Sequence, residues 1–131
     1  AQPTTPPDHT YTSDSTPTFN WSRLASDDGA NTKYVIQVST TPLFTTVTVT
    51  NSSTANYGDA PSFTTPTALA DGSYYYWRVQ AENQHGTGPW GPIYELGIDT
   101  SPPGAFSLTG PADGTDPGTK TPEFTWTQAA D

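Results

Sequence analysis

The stretch YYYWRVQAEN alternates strictly, with Tyr75, Trp77, Val79 and Ala81 on one side and Tyr74, Tyr76, Arg78 and Gln80 on the other. A period of two marks a β-strand with one buried and one wet face, because a helix would scatter the same apolar groups around its cylinder. The alternation recurs through Phe19 and Trp21, through Tyr34, Ile36 and Val38, through Val47 and Val49, and through Tyr94, Leu96 and Ile98. Between these runs stand SDDGAN, NSSTANYGDAPS, LADGS and NQHGTGPWG, whose Gly, Pro, Asn and Asp favour turns. Fourteen Pro and 11 Gly in 131 residues leave little room for helix. Short strands punctuated in this way predict an all-β chain folded as an antiparallel β-sandwich.

A sandwich of this size has volume for few aliphatic layers, so large rings supply much of the burial. The inward faces of the runs give the expected core: Phe19, Trp21, Tyr34, Ile36, Val38, Tyr75, Trp77 and Val79.

TPTFNW, ending at Trp21, returns as TPEFTW, ending at Trp126. At an offset of 105, PPDHTYTSDSTPTFNW lies over PADGTDPGTKTPEFTW, and Pro6, Asp8, Thr10, Thr16, Pro17, Phe19 and Trp21 all find identical partners. One sandwich unit is about 100 residues. Residues 1–100 are therefore expected to form one β-sandwich, and residues 101–131 a Pro-rich junction, DTSPPG, and the first strands of a second repeat. The first strand of the leading repeat is expected to be weak, displaced or absent, since Ala1 and Pro3 stand where the second repeat has Phe106 and Leu108.

These segments together resemble the fibronectin type III and immunoglobulin-like repeats of bacterial and archaeal surface proteins and secreted enzymes. The residues that carry the resemblance are Trp21, YVIQVSTTPLF, LADGSYYYWRVQAENQHGTGPW and the exit IDTSPPGAFSLTGPADGT. It implies a tyrosine corner formed by Leu69 and Tyr75, with the phenol hydroxyl satisfying a backbone group where the chain crosses between sheets. It implies a scaffold rather than an activity, because this sandwich hosts unrelated roles.

The polar groups point away from catalysis. His9 and His85 stand apart in turn-like sequence, and no cysteine, nucleophile elbow or phosphate loop is present, so no enzymatic activity is expected. Asp27 with Asp28, Asp71, Asp99, and Asp113 with Asp116 lie in turns that invite calcium, yet lack the spaced Asp loop a calcium site uses. No cofactor is expected, with a stiffening calcium ion near the junction as the exception to test. Four basic against 13 acidic residues give a net charge of -9, which repels phosphate backbones and anionic headgroups. Neither nucleic-acid binding nor membrane insertion is expected.

Roughly a quarter of the residues are Ser or Thr and only 13% are charged, a composition suited to an extracellular or cell-surface location. The opening AQPTT also fits what remains after signal cleavage behind a small residue. Tyr74 and Tyr76, on the face opposite the core set, and above all Trp90, in the GTGPWG loop, are the candidates for stacking on an extracellular glycan, and Asn51, in NSS and expected in a loop, is the candidate for glycosylation. Phe106, Leu108, Phe124 and Trp126 form an apolar set in the second repeat that requires burial. Its cover is either another copy of the chain, entered by strand donation, or the adjacent repeat of a tandem array. The expected role is a structural or adhesive module, in a surface filament or a tandem-repeat stalk; the alternative is a spacer or carbohydrate-binding accessory of a secreted polysaccharide-degrading enzyme.

Overall fold

The computed structural model describes residues 1–24, 32–53, 61–83 and 85–131. The chain divides into two compact units, Ala1–Thr100 and Ser101–Asp131. Among the described residues every regular element is a strand.

The first unit contains β1 (Gln2–Thr5), β2 (Thr10–Thr12), β3 (Thr18–Ser22), β4 (Lys33–Ser39), β5 (Val47–Ser53), β6 (Ser62–Thr64), β7 (Ser73–Asn83), β8 (Gly86–Trp90) and β9 (Tyr94–Ile98). One sheet runs β1-β3-β6; the other runs β2-β9-β7-β4-β5, with β8 added to β7. This is the β-sandwich that the alternation predicts, and among the described residues its pairings are antiparallel with one exception. β2 runs parallel to β9, with Tyr11 opposite Gly97. The exception arises because the chain crosses from one sheet to the other through Pro6 and Pro7, which carry no N–H for a ladder, and then lies along the last strand.

The expectation of a weak or missing first strand is overturned. β1 pairs with β3, and Pro3 is fully buried opposite Trp21 while Ala1 packs against the core. A proline serves here because β1 is an edge strand, where one missing donor costs little and the ring supplies the apolar surface.

All eight expected core residues are buried, joined by Leu69, Ala81, Leu96 and Ile98. Phe19 meets Trp77 with ring centroids 4.8 Å apart, and Trp21 meets Tyr34 at 5.9 Å, so aromatic pairs bridge the two sheets. Tyr75 forms the corner: its hydroxyl oxygen accepts the Ala70 N–H at 2.9 Å, beside buried Leu69.

The second unit is a ribbon of β10 (Leu108–Gly110) and β11 (Thr125–Trp126), paired antiparallel. Its register repeats that of β1 with β3. Leu108 faces Trp126 as Pro3 faces Trp21, and Gly110 faces Thr125 as Thr5 faces Asn20, each with a register shift at the same place. The entry turns match too, since the Thr16 N–H donates to Asp14 Oδ1 at 2.8 Å and the Thr121 N–H to Thr119 Oγ1 at 3.2 Å. Burial separates the two copies. Trp21 is 3% exposed and Trp126 61%, because the first unit lays a second sheet over this face and the ribbon has none within its own unit.

Candidate functional site

The inward residues of β7 are consumed by the core, so any site on this sheet must use the outward set Tyr74, Tyr76, Arg78 and Gln80. Strand register arranges these in cross-sheet rows with their neighbours. Tyr11, Gly97 and Tyr74 form one row; Glu95, Tyr76 and Ser39 form the next; Arg78 and Gln37 form a third.

The first row owes its shape to a glycine. A Cβ on Gly97 would lie 2.5 Å from Tyr11 Cδ1, so the missing side chain is what lets the Tyr11 ring lie over β9. The ring then meets Tyr74 edge-on, with centroids 5.7 Å apart and planes at 66°, and the two hydroxyls are hydrogen-bonded. Both rings remain open to solvent, Tyr11 at 63% and Tyr74 at 48%. The Tyr74 hydrogen bond, then local desolvation and the charges of Tyr74, Glu95 and Asp99, raise the Tyr11 phenol above its ordinary value. Tyr76 is raised as well, first by desolvation and then by its hydrogen bond to Glu95.

Glu95 sits in a small polar cluster. Its N–H donates to Asp8 Oδ1 at 2.7 Å, while His9 lies 3.5 Å from the Glu95 carboxylate and 3.6 Å from that of Asp8.

Further along the face, the Arg78 guanidinium lies between two rings, 3.9 Å from the Phe44 centroid and 4.1 Å from that of Trp90. Its Nε and Nη2 donate to Gln37 Oε1 at 3.2 and 2.9 Å. Desolvation lowers its pKa from the usual guanidinium value, though the group stays charged at any physiological pH. Cation, rings and amide satisfy one another, so this end of the face is a closed structural stack.

That arrangement corrects the placement of Trp90. It is not a loop residue: it ends β8, opposite Gln80, half-buried, with one face against Arg78. Asn51 is likewise corrected from loop to strand. It lies in β5 opposite Ile36, on the inward side of the alternation and half-buried, a poor place for a bulky glycan. Asn20 lies in β3 and donates to Thr5 Oγ1 at 2.8 Å.

Of the acidic turns, Asp27 and Asp28 lie outside the described residues. Asp71 Oδ1 accepts the Thr100 N–H at 2.7 Å, tying the turn before β7 to the chain beyond β9, and Asp116 Oδ1 accepts the Gly118 N–H at 2.9 Å as a turn cap. Among the described residues no three acidic or imidazole side chains gather as a metal ion would need. The apolar quartet of the second unit, Phe106, Leu108, Phe124 and Trp126, stands 60 to 75% exposed.

Sequence reasoning missed Tyr11 and Phe44. Tyr11 sits in a short run that lacks alternation, and Phe44 follows a proline turn at a positive φ of 54° that propensity disfavours. Gly97, between Leu96 and Ile98 in a strand, was the available signal for Tyr11, since an isolated strand glycine marks a close approach.

Comparison with known proteins agrees with this architecture. Among solved structures the chain is similar to the sixth fibronectin type III domain of human fibronectin type III domain containing protein 3, with a TM-score of 0.54. The likeness covers 86% of this chain and 87% of that one at 19% identity, and so speaks for the fold alone. No curated protein sequence matches. Residues 7–100 match the family described as the Rha78A-like, N-terminal immunoglobulin domain, and domains of this kind are in general non-catalytic modules. With that match spanning most of the chain and the sandwich in place beneath it, the protein belongs to the Rha78A-like N-terminal immunoglobulin domain family.

Proposed function

We propose that the chain is a non-catalytic spacer module of an exported, multidomain glycosidase, joined in series to a second module of its own kind. The observation that carries this is the repeated register: residues 101–131 rebuild the β1–β3 pairing at an offset of 105 residues, down to the position of the register shift. A chain that opens with the same strand pairing twice supports organisation as an array. The family description, an N-terminal immunoglobulin domain of Rha78A-like proteins, supports a position ahead of other domains, and it favours the glycosidase context over a surface filament. The Ser- and Thr-rich, weakly charged composition supports export.

Strand donation to another copy has one observation in its favour, the four exposed apolar side chains of the ribbon. Strand donation needs an open edge as acceptor, and a missing first strand would have left one. β1 and β2 occupy that position, which weakens the donor reading.

Negative-stain electron microscopy and sedimentation of the full chain, beside a version ending at Thr100, test the proposal. Monodisperse particles from both, each without glycoside turnover, are the expected result. Filaments or rings formed by the full chain alone would restore the assembly reading.

A further inference from the structure

We propose that the Tyr11–Tyr74 end of the outer sheet face binds a neutral saccharide, a sugar ring stacking on an exposed tyrosine while its hydroxyls donate to the neighbouring phenol oxygens and carboxylates. This goes beyond the spacer role, which requires no ligand.

Three observations support it. First, among the described residues these two rings are the aromatic surface of the first unit's outer face that is left over: Phe44 is buried against Arg78, Trp90 is half-buried and capped by the same guanidinium, and Tyr76 is half-buried beside Glu95. Second, the pair is built in advance. Gly97 makes room for the Tyr11 ring, and the two hydroxyls are hydrogen-bonded to each other, so the pair stands assembled before any ligand arrives. Third, the surrounding charge selects the ligand. Glu95 and Asp99 both act on Tyr11, and Arg78 is already committed to Gln37 and its two rings.

Acceptors therefore dominate the patch, within a chain of net charge -9. Such a surface repels uronates, sulfated glycans and nucleic acid, and it suits a ligand whose many O–H groups donate and whose ring carries an apolar C–H face. A basic protein would meet the charge, but stable protein pairs cover about 800 Å² on each side, far more than two tyrosine rings present. The ligand that fits is a neutral polysaccharide.

Affinity gel electrophoresis of the full chain tests it, with galactomannan, xyloglucan and mixed-linkage β-glucan in separate gels and polygalacturonate and poly-lysine as charged controls. Retardation on at least one neutral polysaccharide is expected. Tyr74→Ala should weaken it about tenfold, a loss of ~1.4 kcal/mol, Tyr74→Phe should weaken it less, and Trp90→Ala should leave it unchanged. No retardation on any neutral polysaccharide, retardation by a charged control alone, or undiminished binding by a folded Tyr74→Ala variant would overturn the proposal. If the alanine variant fails to fold, proton NMR of the wild-type chain with oligosaccharides of the same three polymers decides. Shifts at the Tyr11 and Tyr74 rings support the site, and shifts confined to other residues refute it. A negative result leaves the spacer role intact.

Discussion

Trp21 and Trp126 occupy equivalent positions of one repeated motif, and replacing each by alanine should give opposite results. Trp21 is 3% exposed, with its ring against Tyr34, while Trp126 is 61% exposed. A tryptophan removes about 150–250 Å² from water. At ~25 cal/mol per Å² this is worth about 4–6 kcal/mol. One correction lowers the figure. The Trp21 Nε1–H is buried with no hydrogen-bond partner among the described residues, and removing such an orphan donor recovers about 1–3 kcal/mol. Residual cavity pulls the other way, so Trp21→Ala should cost about 3–5 kcal/mol, the usual range for deleting a buried aromatic. For a unit of this size each kcal/mol lowers the melting temperature by roughly 4–8 °C, so a fall of at least ~12 °C is expected. Trp126→Ala should stay within ~0.5 kcal/mol of wild type, as exposed substitutions do. Trp21→Phe keeps a ring and discards the orphan donor, and should cost less than half of Trp21→Ala. Circular dichroism melts with urea titrations of the three variants measure all of this. Equal shifts for Trp21→Ala and Trp126→Ala, or a Trp21→Ala melt within a few degrees of wild type, would refute the assignment of β3 to a covered sheet and of β11 to an uncovered one.

Three further outcomes follow from local geometry. Tyr75→Phe removes the acceptor of the Ala70 N–H and should lower stability by about 1–2 kcal/mol by urea denaturation, with no change in the far-ultraviolet spectrum. Arg78→Met keeps the length of the side chain but ends its contacts with Phe44, Trp90 and Gln37, for a loss of about 1–2 kcal/mol; a melt unchanged from wild type would show the stack to be incidental. The raised phenols of Tyr11 and Tyr76 set a pH dependence. A folded-state pKa above the unfolded value, near 10, stabilises the fold fully below that pH, and the contribution disappears as pH rises through the folded values. Melting temperature should therefore hold level up to about pH 9 and fall above about pH 10, and Tyr76→Phe should make the fall shallower. A decline beginning near neutrality would contradict it.

The alternating runs declared themselves because burial of one face leaves a period-two trace in composition that no turn or cap disturbs. Phe19, Trp21, Tyr34, Ile36, Val38, Tyr75, Trp77 and Val79 were legible as core for that reason, and all are buried. β1 was misjudged because the trace counts side-chain hydrophobicity, and Pro3 buries a ring that strand propensity ranks low. Trp90 and Asn51 were misjudged because Gly, Pro, Asn and Ser signal a turn whether they lie in it or end the strand beside it.

The sequence by itself determined the strand faces, the repeat of 105 residues and the absence of a recognisable catalytic motif, since each is a matter of order along the chain. Tertiary structure alone decided which aromatic residues are surplus. Tyr74, Tyr76 and Trp90 read alike in one dimension; Gly97 and Tyr11 come from other strands to leave the first open, Glu95 engages the second, and Arg78 with Phe44 closes over the third. The same holds for Trp21 and Trp126, identical in motif, whose burial differs because an opposing sheet packs on one and not, within its own unit, on the other. Burial depends on what packs against a face, and that is decided by segments distant in sequence.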